Sequence, residues 1–279
     1  MIPAKFDYQR ADSADEAIAL LDEYGDDAKL LAGGHSLLPL MKLRLASPAV
    51  LIDIGRLREL SYVRDAGDHI AIGALTRHRD VETSELLRAE VPLLAHAASQ
   101  VGDPQVRHRG TIGGSIAHGD PASDLPAVVL ALGGTLVARG SAGAGGERTI
   151  PATEFFRGFL ECELSPTELL TEIRVPKVGK AGWSFQKFNR RAQDWAIVGV
   201  AAVRNGQTGV ALVNMGTTPI RATAVESAVA GGASATDAAA HAADGLDPPS
   251  DLNASPEYRR HLATVLVRRA LEEAAARGR

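Results

Sequence analysis

The chain has 279 residues, 45% of them hydrophobic, and a formal net charge of −4. That length suits two domains or one large one, and the weak acidic balance gives no electrostatic case for nucleic acid or an anionic membrane surface. One cysteine, Cys162, excludes an internal disulfide, an iron–sulfur cluster held by this chain alone and a cysteine-rich structural zinc. The histidines show no H-x-x-x-H pair on a plausible helix, so no protein-bound metal is expected. No apolar run reaches the ~20 residues of a membrane span. MIPAKFDYQRADS has no apolar signal core, so a cytoplasmic protein is expected, with a loose association at the inner membrane face left open.

In chain order, residues 13–24 read as a helix. Ser13 and Glu16 form a capping box, Gly25 is a stop, and Ala17, Leu21 and Tyr24 share one face. Lys29–Ala32 reads as a short buried strand entering a glycine loop, Ala32-Gly33-Gly34-His35-Ser36. Val50–Ile54 and Ile70–Ile72 read as strands, and Thr76–Leu87 and Pro92–Val101 as helices. A second loop follows, Thr111-Ile112-Gly113-Gly114-Ser115. Asp124–Leu132 then reads as a helix, Thr135–Ala138 as a strand and 141–147 as a hairpin or exposed loop. Leu169–Val175 alternates weakly and ends at Pro176, a domain boundary.

Beyond Pro176 the character changes. Trp183–Phe188, Ala196–Val203 and Gly209–Asn214 read as three strands joined by short turns, one of them Asn205-Gly206. Thr223 and Glu226 read as a second capping box, 233–243 as a weak alanine-rich helix, and Ser255-Pro256 as the start of a long helix to about Ala275. The stretch between the last two reads as a linker. Strands and helices alternate before Pro176, which suggests an α+β nucleotide-binding domain.

The two glycine loops carry the chemistry. Glycine permits tight turns and close approach of a ligand to the backbone, and successive amides in such turns form concave anion sites. Two such loops suit a diphosphate gripped from both sides. Neither is a P-loop or a G-x-G-x-x-G fingerprint, and a tight strand-to-helix turn is the alternative for the first. Asp120, Ser123 and Asp124 flank the second within reach of a ribose or ring edge. Ser115 has no G-x-S-x-G context, so nucleophilic catalysis is not expected. Among other polar groups, His96, His108 and His118 fit no constellation. Arg107 and Arg109 read as exposed, and RRHLATVLVRR reads as a solvated helix face.

AGGHSLLPLMKLRLASP and TIGGSIAHGDPASDLPA resemble the FAD-binding medium subunit of molybdenum hydroxylases, particularly the aerobic carbon monoxide dehydrogenase type. The opening IPAKFDY, the segment KFNRRAQDWAIVGVAA and the final EYRRHLATVLVRRAL extend the likeness over nearly the whole chain. The resemblance implies a p-cresol-methylhydroxylase-type FAD-binding domain over 1–176. It also implies a small C-terminal α+β domain over 177–279, with a three-stranded antiparallel sheet and helices. It implies that Ala32, Gly33, Gly34, His35 and Ser36, with Thr111, Ile112, Gly113, Gly114 and Ser115, cradle the FAD diphosphate through amides and hydroxyls. His35 would contribute its backbone.

On the same resemblance Asp124 bonds the ribityl or ribose part; capping the helix that follows is its other reading. Trp195 takes the family's aromatic position, often a tyrosine, near the isoalloxazine; a core tryptophan is the alternative. Lys187 would place positive charge at the flavin's pyrimidine edge, favouring reduced, anionic flavin; a solvated lysine is the alternative. Asp194 anchors the turn. No residue of this chain is expected to act as a substrate acid or base.

The function implied is an electron-transfer subunit. It would pass electrons from a partner's 2Fe-2S clusters through FAD to an external acceptor. A large molybdenum–pterin subunit and a small iron–sulfur subunit complete a dimer of heterotrimers. A stand-alone FAD oxidase or reductase of the same fold, and a non-enzymatic nucleotide-binding protein, are the competing readings.

Overall fold

The computed structural model describes residues 1–141 and 146–278. Its first layer is a parallel three-stranded sheet of β1 (Asp7–Arg10), β2 (Ala28–Leu31) and β3 (Val50–Asp53), in the order β1-β3-β2. Helix α1 (Ala14–Tyr24) covers it, burying Ala17, Ile18 and Leu21 against Ile52 and Ile54. The expected cap is present: Ser13 Oγ accepts from the Glu16 amide, while the Glu16 carboxylate reaches back to the amide of Asp12. Gly25 ends the helix at φ +52°, where a side chain would be strained. Strand β2 runs through residues 32–36 into α2 (Leu37–Lys42).

The second sheet is antiparallel and five-stranded, ordered β4-β5-β10-β6-β7. Its strands are β4 (Val63–Asp65), β5 (His69–Gly73), β6 (Thr135–Arg139), β7 (Glu147–Pro151) and β10 (Leu169–Pro176). A short ribbon, β8 (Phe156–Gly158) with β9 (Glu161–Cys162), interrupts the sequence of this sheet. Helices α3 (His78–Thr83), α4 (Glu85–Glu90), α5 (Pro92–Ser99), α6 (Pro104–Arg109), α7 (Ile112–His118), α8 (Asp124–Ala131) and α9 (Ala152–Phe155) accompany it. Their apolar faces and the sheet form the largest core. Strands β6 and β7 pair as a hairpin, with Arg139 opposite Glu147. The tip of the loop expected at 141–147 lies outside the described residues.

The single helix expected over Thr76–Leu87 is two helices. Thr76 is held outside them by bonds of its hydroxyl to the Tyr62 backbone, and Ser84 breaks the run by capping α4 through the Leu87 amide. The capping box expected at Thr223 and Glu226 does not form. Helix α10 (Thr223–Ala230) starts after Ala222, and Glu226 instead accepts from the Val210 amide and from Arg221. The C-terminal sheet has four strands, ordered β11 (Gly182–Phe188), β12 (Val198–Asn205), β13 (Gln207–Val213) and β14 (Ile220–Arg221). The last is too short to leave a periodic signal.

Side chains alternate across that sheet. Phe185, Ala201, Val203, Ala211 and Val213 enter the large core beside α5 and α8. Val198, Val200, Ala202, Val210 and Leu212 face a second core with α10, α11 (Ala235–Ala239) and α12 (Pro256–Arg277). The alanine-rich helix expected over 233–243 is only the five residues of α11, while the long one is as expected, capped by Ser255. Its Arg259 is not on a solvated face. It is 0% exposed and donates to Ile197 O and Asn214 O and to Asp251.

Candidate functional site

A cavity of about 630 Å³ is lined by β2, both glycine loops, Ala74 and Leu75 after β5, the end of β9, Leu169 and Leu170 of β10, and the 193–195 segment. That volume is in the range of small-molecule and cofactor pockets. Ala32, Gly33, Gly34, His35, Ser36, Thr111, Gly113, Gly114, Ser115, Asp124, Lys187 and Trp195 all line it. Ile112 does not; its side chain is fully buried in the large core.

The loops touch each other. A Cβ on Gly33 would meet Arg109 O at 2.4 Å and Gly110 Cα at 2.9 Å, so only glycine admits this approach. Gly34 sits at φ +79°. Gly113 lies against Ala74, where a Cβ would come within 2.5 Å of its carbonyl oxygen.

Their hydrogen bonding differs. In the second loop the amides of Ile112, Gly113 and Ser115 donate to Thr76 O, Ala74 O and Thr111 O, and the Gly114 amide donates to Thr111 Oγ1. Residues 112–115 form the first turn of α7, and Thr111 is its N-cap. In the first loop the amides of Gly33, Gly34, His35 and Ser36 have no acceptor among the described residues. Residues 33–36 are half-buried to exposed, so these donors are open to water or to a ligand, and several in succession along a stretch that lines a cavity suit an anion.

The opposite side is polar in another way. Asp124 opens α8, with Ser123 rather than Asp124 as its N-cap. Its Oδ2 receives Lys187 Nζ at 2.7 Å, while Oδ1 is buried without a partner among the described residues. Burial pushes the carboxyl up to about 6, and Lys187 partly opposes that rise. Lys187 also donates to Gln100 O, and its side chain is nearly buried, so it is no solvated lysine. Trp195 is 57% exposed at the cavity edge, so it is not a core tryptophan; Trp183, under Arg277 and beside His96, is the packed one. Arg107 is not an open arginine either: it pairs with Glu82 in a mostly buried bridge.

One cavity residue carries no motif in the sequence. His78 begins α3, is 2% exposed, and sets Nε2 3.2 Å from Ser115 Oγ. Burial, aided by His35, Arg107 and Arg77, pulls it down to about 4, so the ring is neutral near pH 7. Its position one residue past the isolated bridge between Arg77 and Thr111 explains how it reaches the loop. Nothing local in ALTRHRD announces that contact.

These groups fit a dinucleotide. Unpaired amides and a serine hydroxyl suit the diphosphate, the Asp124 carboxylate in the cavity wall suits a sugar or ribityl hydroxyl, and an accessible aromatic face suits a flat ring. Among the described residues there is no cluster of His, Cys, Asp and Glu able to hold a metal.

Residues 4–178 match the family described as FAD binding domain in molybdopterin dehydrogenase, and residues 183–274 match CO dehydrogenase flavoprotein C-terminal domain. The chain is similar to the carbon monoxide dehydrogenase medium chain of Hydrogenophaga pseudoflava, 44% identical over 288 residues and covering 99% of each. The solved carbon monoxide dehydrogenase from Hydrogenophaga pseudoflava, lacking the Mo-pyranopterin moiety, superposes at a TM-score of 0.95 over 99% of both chains. Quinoline 2-oxidoreductase from Pseudomonas putida 86, 30% identical, superposes at 0.91 over 100% of both.

Proposed function

The chain belongs to the FAD-binding medium-subunit family of the molybdenum hydroxylases, and from that premise we propose how its own residues serve the role. It is an FAD-carrying oxidoreductase subunit. The observation that carries the site assignment is the run of amides at Gly33–Ser36 with no acceptor among the described residues, in a stretch that lines the same cavity as Ser115 and Asp124.

Gly33, Gly34, His35 and Ser36 bind the diphosphate through their amides, and Ser115 adds its hydroxyl. The second loop's glycines bring the α7 backbone close, while its amides hold the loop itself together. Asp124 orients a ribityl or ribose hydroxyl. Lys187 fixes that carboxylate through the buried ion pair, which neutralises most of the charge expected of it at the flavin's pyrimidine edge. Trp195 covers the ring at the cavity mouth and limits solvent there. FAD supplies, when bound, a redox group that exchanges electrons singly or in pairs.

The family's medium chains work within multi-subunit complexes. We assign this one a large molybdenum–pterin subunit, a small 2Fe-2S subunit and an external electron acceptor, assembled as a dimer of heterotrimers. The domains divide as 1–176 and 177–279. Among the described residues no helix is long and apolar enough to cross a membrane, and a cytoplasmic location is proposed.

A visible spectrum of the tagged chain, purified gently from its own cells before and after dithionite, tests this. Bleachable flavin absorption overlaid with iron–sulfur bands is the expected result, because Cys162 alone cannot hold the clusters. Flavin with no clusters, together with substrate turnover by the isolated chain, would favour a stand-alone flavoenzyme. A colourless preparation would overturn the cofactor assignment.

A further inference from the structure

His78 stands behind the second loop rather than in it. Its amide donates to Gly110 O, and its ring packs on Gly110, where a Cβ would come within 2.6 Å of Cδ2. One ring nitrogen, Nε2, faces Ser115 Oγ, and the other, Nδ1, is buried with no partner among the described residues. A neutral imidazole has one donor nitrogen and one acceptor nitrogen. If Nδ1 carried the proton, a buried N–H would be orphaned. If Nε2 carries it, only a lone pair goes unused, and under-satisfied acceptors are the commoner exception in folded proteins. The second arrangement makes His78 the donor and Ser115 Oγ the acceptor.

That choice decides where the serine proton goes. Ser115 Oγ has no other partner among the described residues, and the residue lines the cavity. Having accepted from His78, the hydroxyl has its own hydrogen left to donate into the cavity, toward an acceptor such as an anionic phosphate oxygen.

We propose that His78 is a positioning residue that, as the Nε2–H tautomer, holds the Ser115 hydroxyl as a donor to the diphosphate of the bound dinucleotide. The inference rests on the reading of this cavity as the FAD site. The low proton affinity of the buried ring agrees with it, because a charged imidazolium would also donate from Nδ1, and no group among the described residues receives that bond.

The full-length chain, freed of flavin and titrated with FAD by fluorescence quenching, tests the idea. Ser115→Ala and His78→Met should each weaken binding about tenfold or more, the worth of a hydrogen bond to a charged group. His78→Met placed on Ser115→Ala should cost nothing further, since the histidine acts through the serine. His78→Gln, whose amide can still donate, should bind within about threefold of the parent.

Independent multiplicative losses would overturn the proposal, as would a glutamine variant no better than methionine. Should His78→Met fail to fold, the ¹⁵N shifts of the histidine-labelled parent chain read the tautomer directly, and a protonated Nδ1 would overturn it. Failure of the parent chain to bind FAD at all is a different result. It would sink the cofactor reading, whereas normal FAD binding with indifferent variants would sink this inference alone.

Discussion

Asp124 and Lys187 are 63 positions apart in sequence, yet Lys187 Nζ lies 2.7 Å from Asp124 Oδ2 with both side chains only 5% exposed. The carboxylate comes from α8 and the ammonium from β11, so the pair joins the FAD-binding region to the C-terminal sheet at the cavity wall. A buried pair of this kind contributes little net stability when intact, because desolvation offsets the attraction. Its loss on one side is costly.

Lys187→Met should therefore destabilise the chain by about 3–5 kcal/mol at pH 8, where it leaves an uncompensated carboxylate in the interior. The deficit should shrink at pH 5, where Asp124 can take up a proton. Urea unfolding of parent and variant at both pH values checks this. An equal deficit at both would mean that the charge on Asp124 is not the cause.

Two buried groups tilt stability with pH in opposite senses. His78 sits at about 4 in the fold against 6.5 when free, so the unfolded chain gains a proton first on acidification. Stability from His78 is lost as pH falls from 6.5 to 4. Asp124 sits at about 6 against 3.8, so the folded chain gains its proton first, and stability rises as pH falls from 6 toward 3.8. Each effect is on the order of 3 kcal/mol. His78→Gln removes the first and keeps the second, so it should become more stable relative to the parent between pH 6.5 and 4. Denaturant midpoints across that range provide the check; a flat difference would contradict the neutral buried imidazole.

Adjacent glycines should fail for different reasons. Gly114→Val pushes a Cβ to 2.7 Å from Thr111 Oγ1, so it costs the helix cap, about 1 kcal/mol, and blocks approach to the cavity. The variant should fold and lack flavin. Gly113→Val drives a branched side chain into the Ala74 backbone and should lose about 3 kcal/mol or more. Melting curves and the flavin-to-protein absorbance ratio separate the two. Full flavin occupancy in Gly114→Val would remove the second loop from the site.

Trp195→Ala removes an exposed side chain, so stability should change by less than about 0.5 kcal/mol. Flavin content should stay near the parent level while the flavin's potential and visible band positions shift, as expected when an aromatic cover is lost. A spectroelectrochemical titration decides; an unchanged potential and spectrum would separate Trp195 from the ring.

The sequence by itself determined the elements whose signals are local. Ser13 and Glu16 announce α1, Ser255-Pro256 announces α12, and the pairs of glycines mark where backbone must come close to something. The long motifs around both loops also determined the family, and with it the cofactor. Tertiary structure alone decided what each polar group does. Arg259 and Lys187 look like surface cations in the string and are buried, because their partners arrive from distant strands and loops. The two loops look alike in sequence, but Thr76, Ala74 and Thr111 occupy the amides of one and leave those of the other unpaired. His78 lies in an ordinary helical segment and becomes part of the site only when α3 packs beside Gly110. Hydrogen bonds and burial are properties of the surroundings, and no periodicity or spacing along the chain records them.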